Sequence, residues 1–376
     1  MDFTLDDEQQ AIADLATQIL DAEVTEERLR EVTAGEAPFD ERTWTKLAEA
    51  GLVSIVVPEA DGGSGYGILE ACLVLEEVGR HVAAVPYLAA VVGGAMPLAR
   101  FGTEAQRADL LPGVLAGTHL VVPALAEHGS YVVPSTPTTT LVDDGDGWRL
   151  DGEKLFVPWA DRAHRLLVPA RRPDGTVAVA LVDPAAEGVE LEAMATTSGL
   201  PESIVRLSQV AVTAADLLGG PDAAGDDVVR WLVDHLTVGV CATQAGVSEG
   251  ALRLTATYTS ERHQFGSPIA TFQAVAHRAA DAYIDTQGIR FTMWQAAWRL
   301  GEGLPAADEI DVAKVWAADG GHRVALAAQH LHGGIGVDVD YPLHRFFLWA
   351  KQLELTLGGA TEHLRLLGAR LAAGVG

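Results

Sequence analysis

Apolar residues recur at helical spacing from the start of the chain to about Leu120, at strand-like spacing from there to about Thr213, and at helical spacing again almost to the end. This double change of period constrains the fold most. A period of 3.6 leaves no continuous apolar face on a strand, and a period of 2 leaves none on a helix. It predicts segregated layers in an α+β, mainly α chain. The expected domains are an N-terminal helical domain over 1–118, a middle β-barrel or β-sandwich domain over 119–217 and a C-terminal four-helix bundle over 222–376.

In the first part, Ile12, Leu15, Ile19 and Leu20 predict a half-buried helix over Asp6 to Val32. Further helices are expected over Thr43 to Ala50 (stopped by Gly51), Ile68 to His81, Val91 to Phe101 and Glu104 to Leu115 (capped by Thr103). In the middle part, Asp144-Gly145-Asp146-Gly147 and Pro173-Asp174-Gly175 are hairpin signals separating β-prone runs, enough for seven or eight strands. Beyond Gly219-Gly220-Pro221, long helices are expected over Ala224 to Arg262, Ala274 to Gly301, Asp308 to His332 and Tyr341 to Gly358.

The chain of 376 residues carries a net charge of −26, which argues against nucleic acid or an anionic membrane as partner. Cys72 and Cys241 lie far apart without metal-ligand spacing, so neither a disulfide framework nor a metal site is expected. The acidic start MDFTLDDEQQ lacks the apolar core of a signal peptide. Pro86, Gly93, Gly94 and Pro97 interrupt the apolar stretch from Val82 to Leu98, which argues against a membrane span there. A cytoplasmic location is expected.

Four longer motifs stand in a fixed order: GLVSIVVPEADGGSGYG before the Glu76-Glu77 helix, GTEAQRADLLPGVLAG, ERHQFGSPIATFQAVAHRAAD, and HGGIGVDVDYPLHR. With the helix–β–helix order, they resemble the acyl-CoA dehydrogenase superfamily over essentially the whole chain. The resemblance implies a tetramer in which each FAD lies across two subunits, its ring against one β domain and its ADP portion held by a neighbour. Carried onto this sequence, Arg262 becomes a pyrophosphate contact, since a guanidinium fork matches phosphate oxygens. Gln264 and Phe265 line the same cofactor half, with Ile269 and Phe272 as apolar walls. Gly333, Gly334 and Gly336 let backbone amides approach an anion without a Cβ in the way. Where the family has a glutamine before this glycine motif, the chain has His330.

The family's reaction removes the α-proton of an acyl-CoA thioester and passes a β-hydride to the flavin, so a carboxylate must stand over the α-carbon. The resemblance offers two places for that glutamate, and both lack one. The family's Y-E-G-T segment reads Leu357-Gly358-Gly359-Ala360, with Gly358 at the acid's position, and the alternative site upstream of Arg262 falls on Leu236. Asp234 is offset by two residues, a turn of about 200° around a helix. Glu249 and Glu362 match no catalytic position and are expected to be solvated or ion-paired. The β domain departs from the family as well. The loop that contacts flavin and substrate survives as Ala124 to Ser130, and the W-I-T strand reads Phe156-Val157-Pro158, where proline offers neither hydroxyl nor amide donor.

The parts that would reach a neighbour's FAD are kept, and those serving a flavin of the chain's own are eroded. The chain therefore resembles the base-less subunit of bacterial α2β2 acyl-CoA dehydrogenases of the steroid side-chain type. That implies a homologous partner subunit with the catalytic glutamate, an acyl-CoA substrate and an electron-transfer acceptor. Two alternatives stay open: a self-sufficient homotetramer with a relocated carboxylate, and a scaffold paralogue that binds neither flavin nor thioester.

Overall fold

The computed structural model describes residues 3–35, 38–130 and 132–374; Met1 and Asp2 of the acidic N-terminus lie outside them. Helix α1 (Asp7–Glu23) opens on a reciprocal cap, in which Asp6 Oδ1 accepts from Gln9 N at 2.8 Å and Gln9 Oε1 accepts from Asp6 N at 3.2 Å. The single helix expected over Asp6 to Val32 is two. The chain breaks at Val24 and Thr25, and the Thr25 hydroxyl accepts from Arg28 N at 3.2 Å to cap α2 (Glu26–Thr33). Adjacent β-branched residues weaken a helix, and a threonine that can cap a new one completes the break.

Helices α3 (Glu41–Glu49) and α4 (Ile68–Arg80) follow, then a π-helical stretch over Leu88–Ala95 that runs into α5 (Met96–Phe101). Helix α6 (Glu104–Leu115) starts at Thr103, the cap expected from the sequence, and Gln106 completes a capping box with it. The amide of Gln106 also donates to Ala215 O at 2.8 Å and Leu217 O at 2.7 Å, so the same side chain ties α6 to the end of the β segment.

The strands are β1 (Leu120–Pro123), β2 (Thr140–Asp143), β3 (Trp148–Pro158), β4 (Ala163–Arg171), β5 (Val177–Val182), β6 (Val189–Met194) and β7 (Glu202–Val212). Among the described residues these seven form one mixed sheet in the order β1-β4-β2-β3-β7-β6, with β5 paired to β4. Both turn signals close hairpins, β2–β3 and β4–β5. Gly94 lies so close to β1 that a Cβ there would stand 1.9 Å from Val121 O, so the π-helical stretch can pack on the sheet because this position is glycine.

After β7 comes α7 (Gly225–Glu261), the small hairpin β8 (His263–Gln264) and β9 (Ser267–Pro268), α8 (Gln273–Gly301), α9 (Ala307–Val315), α10 (Gly321–His332), α11 (Leu343–Leu355) and α12 (Ala360–Ala372). The helix expected over Asp308 to His332 carries a π-turn at Trp316–Gly320 between α9 and α10. The helix expected to reach Gly358 ends at Leu355, and a separate α12 follows. Contacts divide the chain into two compact units. One comprises Met1–Glu31, Cys72–Ala83 and Thr237–Gly376, the other Val32–Ala71 and Ala84–Leu236. In the first, buried Glu76 accepts from Arg290 Nε at 2.7 Å and Trp294 Nε1 at 2.6 Å, joining α4 to α8. Among the described residues no helix is long and apolar enough to cross a membrane.

Candidate functional site

The residues that the sequence links to a cofactor lie on two neighbouring pieces of backbone. The first is the hairpin after α7. Its base is closed by Arg262, whose N–H donates to Tyr258 O at 2.8 Å and whose carbonyl accepts from Ile269 N at 2.8 Å. Phe265 at the tip has φ +52° and is 95% exposed, and its ring meets that of Phe272 edge-on at 6.3 Å. A phenylalanine held in a left-handed conformation with its ring in solvent is costly on both counts. Arg262 and Gln264 are exposed, Ile269 is half-buried, and among the described residues Arg262 forms no ion pair.

The second piece is the short helical turn Gly333–Val337 at the end of α10. Gly333 has φ +65° and ψ −140°, a conformation effectively reserved for glycine, and a Cβ on Gly333 or Gly334 would meet nothing within 4 Å. The Gly333 N–H is taken up by Gln329 O and His330 O as the cap of α10, so of the two amides it is that of Gly334 that is left to meet an approaching ligand. Gly336 differs: it is buried, and a Cβ there would lie 3.1 Å from Gln329 Nε2, His332 Cβ and Leu343 Cδ2, so packing within the chain already requires glycine. His330 is exposed on the last turn of α10. The two pieces meet through Tyr258, whose ring stacks on His332 at 4.5 Å and whose hydroxyl approaches His332 O at 3.4 Å.

The positions at which a base would be needed hold no acid. Gly358 is buried with φ +102°, in the turn between α11 and α12. Leu236 is 5% exposed, and its Cδ2 lies 3.3 Å from where a Gly93 Cβ would stand, so it fills an apolar wall. Glu362 Oε2 accepts from Gly359 N at 3.1 Å and caps α12. Glu249 pairs with Arg253 at 2.6 Å and faces Arg290 at 3.7 Å. Asp234, on α7, is half-buried.

In the sheet, the Ala124 to Ser130 loop is anchored by Glu127. This buried carboxylate accepts from Lys154 Nζ at 2.6 Å, from the hydroxyls of Thr138 and Thr139 at 2.7 Å each, and from their amides at 2.5 and 3.1 Å. Burial opposes its ionisation, but Lys154 and the threonine donors outweigh that and hold its pKa down at about 2. Further along β3 the register shifts between Lys154 and Val157, and there Phe156 takes φ +51° and stands 53% exposed.

Comparison with known proteins decides what this arrangement belongs to. Residues 6–118 match the acyl-CoA dehydrogenase N-terminal domain and residues 223–372 the acyl-CoA dehydrogenase C-terminal domain. The chain is a member of the acyl-CoA dehydrogenase family. Acyl-CoA dehydrogenase FadE27 of Mycobacterium tuberculosis is 42% identical over 381 residues, covering 99% of each chain. A chain of the ChsE4-ChsE5 complex from Mycobacterium tuberculosis superposes with a TM-score of 0.92 at 42% identity, again with 99% of each covered. A chain of a single-residue variant of the Tcur3481-Tcur3483 steroid ACAD gives 0.91 at 45% identity and the same coverage.

Sequence reasoning about this acyl-CoA dehydrogenase passed over Tyr258, His332, Tyr341, Glu127 and Lys154. The first three lie beside or inside motifs that it did single out, but tyrosine and histidine on a helix carry no signal of which neighbour they will meet. Glu127 and Lys154 are 27 residues apart. A lysine within a β-prone run could have raised the question of an inward charge, though not of its partner.

Proposed function

We propose that this chain is the base-less subunit of a heteromeric FAD-dependent acyl-CoA dehydrogenase, in which a homologous subunit supplies the catalytic glutamate. One contrast carries the reading. The hairpin and glycine turn that would hold the ADP half of FAD stand open, with Arg262 unpaired among the described residues, whereas Gly358 and Leu236 occupy the base positions. Similarity to chains of the ChsE4-ChsE5 complex and of a steroid ACAD supports a heteromer acting on a CoA thioester of the steroid side-chain type. The working domain division is 1–118, 119–217 and 222–376, and the assembly is assigned to the cytoplasm.

FAD supplies the hydride acceptor of the dehydrogenation. This chain's part is binding. Arg262 offers its guanidinium fork to the pyrophosphate. The amide of Gly334 adds a hydrogen-bond donor, Gly333 lets the anion approach without a Cβ in the way, and Gly336 shapes the turn that presents them. Gln264 and His330 offer further polar contacts, and Phe265, Ile269 and Phe272 exclude water from the cofactor's apolar edge. The partner's carboxylate would take the α-proton, and an electron-transfer acceptor would take up the electrons.

Turnover of a steroid side-chain CoA thioester with an artificial electron acceptor tests the reading. Mixed with its partner subunit the chain is expected to support dehydrogenation. Alone it should be slower by at least about a hundredfold, the usual worth of a general base. Comparable turnover by the isolated chain sinks the proposal.

A further inference from the structure

The glycine turn poses a problem of its own. The Gly333 N–H closes the end of α10 on Gln329 O and His330 O, but a Cβ on Gly333 or Gly334 would meet nothing within 4 Å and glycine backbone is permissive, so the course of the turn beyond that cap must be set by its neighbours. His332, the residue before them, is 4% exposed although both glycines are open to solvent. Its Nδ1 faces Ala328 O at 2.8 Å, and because a carbonyl only accepts, the ring proton sits on Nδ1. Nε2 is then an acceptor, and the Tyr341 hydroxyl donates to it at 3.1 Å. Burial pushes the pKa of His332 down, which keeps the ring in this neutral form. On its other side the ring stacks on Tyr258, at an angle of 20°. Tyr258 lies one helical turn before Arg262 and accepts its backbone N–H. The three rings thus tie the end of α7, the end of α10 and the approach to α11 together.

We propose that Tyr258, His332 and Tyr341 form a positioning clamp, which holds the Gly333–Gly336 turn in register with Arg262 so that both meet the same anionic part of the cofactor. The clamp rests on the cofactor reading above. None of its side chains needs to touch the ligand; they act through the backbone they hold. The titratable and charged groups around the cluster include His344, whose Nδ1 lies 2.6 Å from Tyr341 O, Glu261 at the end of α7, Glu26 on α2, and Arg345 on α11, which pairs with Glu26 at 3.2 Å.

The test follows FAD release, by the rise of flavin fluorescence, from the complex with the partner subunit between about pH 5 and pH 8. Tyr341→Phe removes one hydroxyl and should speed release about tenfold, the effect of one buried hydrogen bond. His332→Phe keeps the stack but cannot accept, and should release FAD at least as fast. Tyr258→Phe keeps the stack and should stay within about threefold, since its hydroxyl contact is long. In the parent complex release should also accelerate at acid pH, as protonation of Nε2 ends its acceptor role, and His332→Phe should lack this acid limb. Tyr341→Phe is too conservative to unfold the chain, so parental release rates in it at every pH overturn the clamp. Arg262→Ala separates the two ideas. If it sheds FAD while the clamp variants do not, the clamp alone fails; if it too retains FAD, the cofactor reading fails.

Discussion

Glu127 and Lys154 are both buried, so neither charge can lose its partner without leaving the other isolated in a low-dielectric interior. Replacing Lys154 by Met is therefore expected to destabilise the chain by about 3–5 kcal/mol in chemical denaturation. The Glu127→Leu/Lys154→Met pair should recover much of that loss. The pKa of Glu127 lies at about 2, below its ordinary 4.5, which fixes the sign of the pH effect. Its contribution is complete above the ordinary carboxylate range and disappears as pH falls from there through about 2, a change on the order of 3 kcal/mol. Lys154→Met should flatten that part of the acid denaturation profile. An unchanged profile would mean that the Thr138 and Thr139 donors hold the carboxylate without the lysine.

The turn between α11 and α12 holds a glycine at the position where the family resemblance leads one to expect an acid. Buried Lys314 donates to Leu353 O at 3.0 Å and Glu354 O at 3.1 Å, so a cation caps the carbonyl end of α11. Its pKa is lowered to about 8, because burial penalises the charge. His363, on α12, bridges Asp311 Oδ1 at 2.5 Å and Leu357 O at 3.0 Å, and Arg370 closes on the same aspartate. Within this frame Leu357 and Gly358 both take positive φ, +59° and +102°. A glutamate placed at position 358 would have to adopt a conformation that suits glycine. Gly358→Glu is thus expected to lower stability by about 1–3 kcal/mol and to leave the isolated chain inactive. Dehydrogenase turnover appearing in that variant would show that the turn can still present a base.

At the scale of the molecule, a net charge of −26 coexists with large apolar side chains in solvent. In the unit that contains α8 to α12, Phe265 is 95% exposed, Val339 71%, Val337 68% and Ile284 62%. Apolar surface of this kind marks an association face more often than a free one. Phe265→Ser should weaken association with the partner subunit by about thirtyfold or more, the loss expected for an aromatic anchor, while circular dichroism of the isolated chain stays unchanged. Undiminished co-purification of the variant would place the interface elsewhere.

The sequence by itself determined the order of helical and β segments, the capped start of α6, both sheet hairpins and the motifs that name the family. Each of these is written in local periodicity, turn chemistry or contiguous residues. It also determined the absence of an acid at Gly358 and Leu236, since identity at a position needs no coordinates. Only the tertiary structure decided that Gly336 is tight within its own chain whereas Gly333 and Gly334 are open, and that Tyr258 and Tyr341 hold His332 between them. It alone paired Glu127 with Lys154. The physical reason is common to all of these: burial and pairing are relations between distant segments, and a residue's type says which bonds it can make without saying which neighbour arrives to make them.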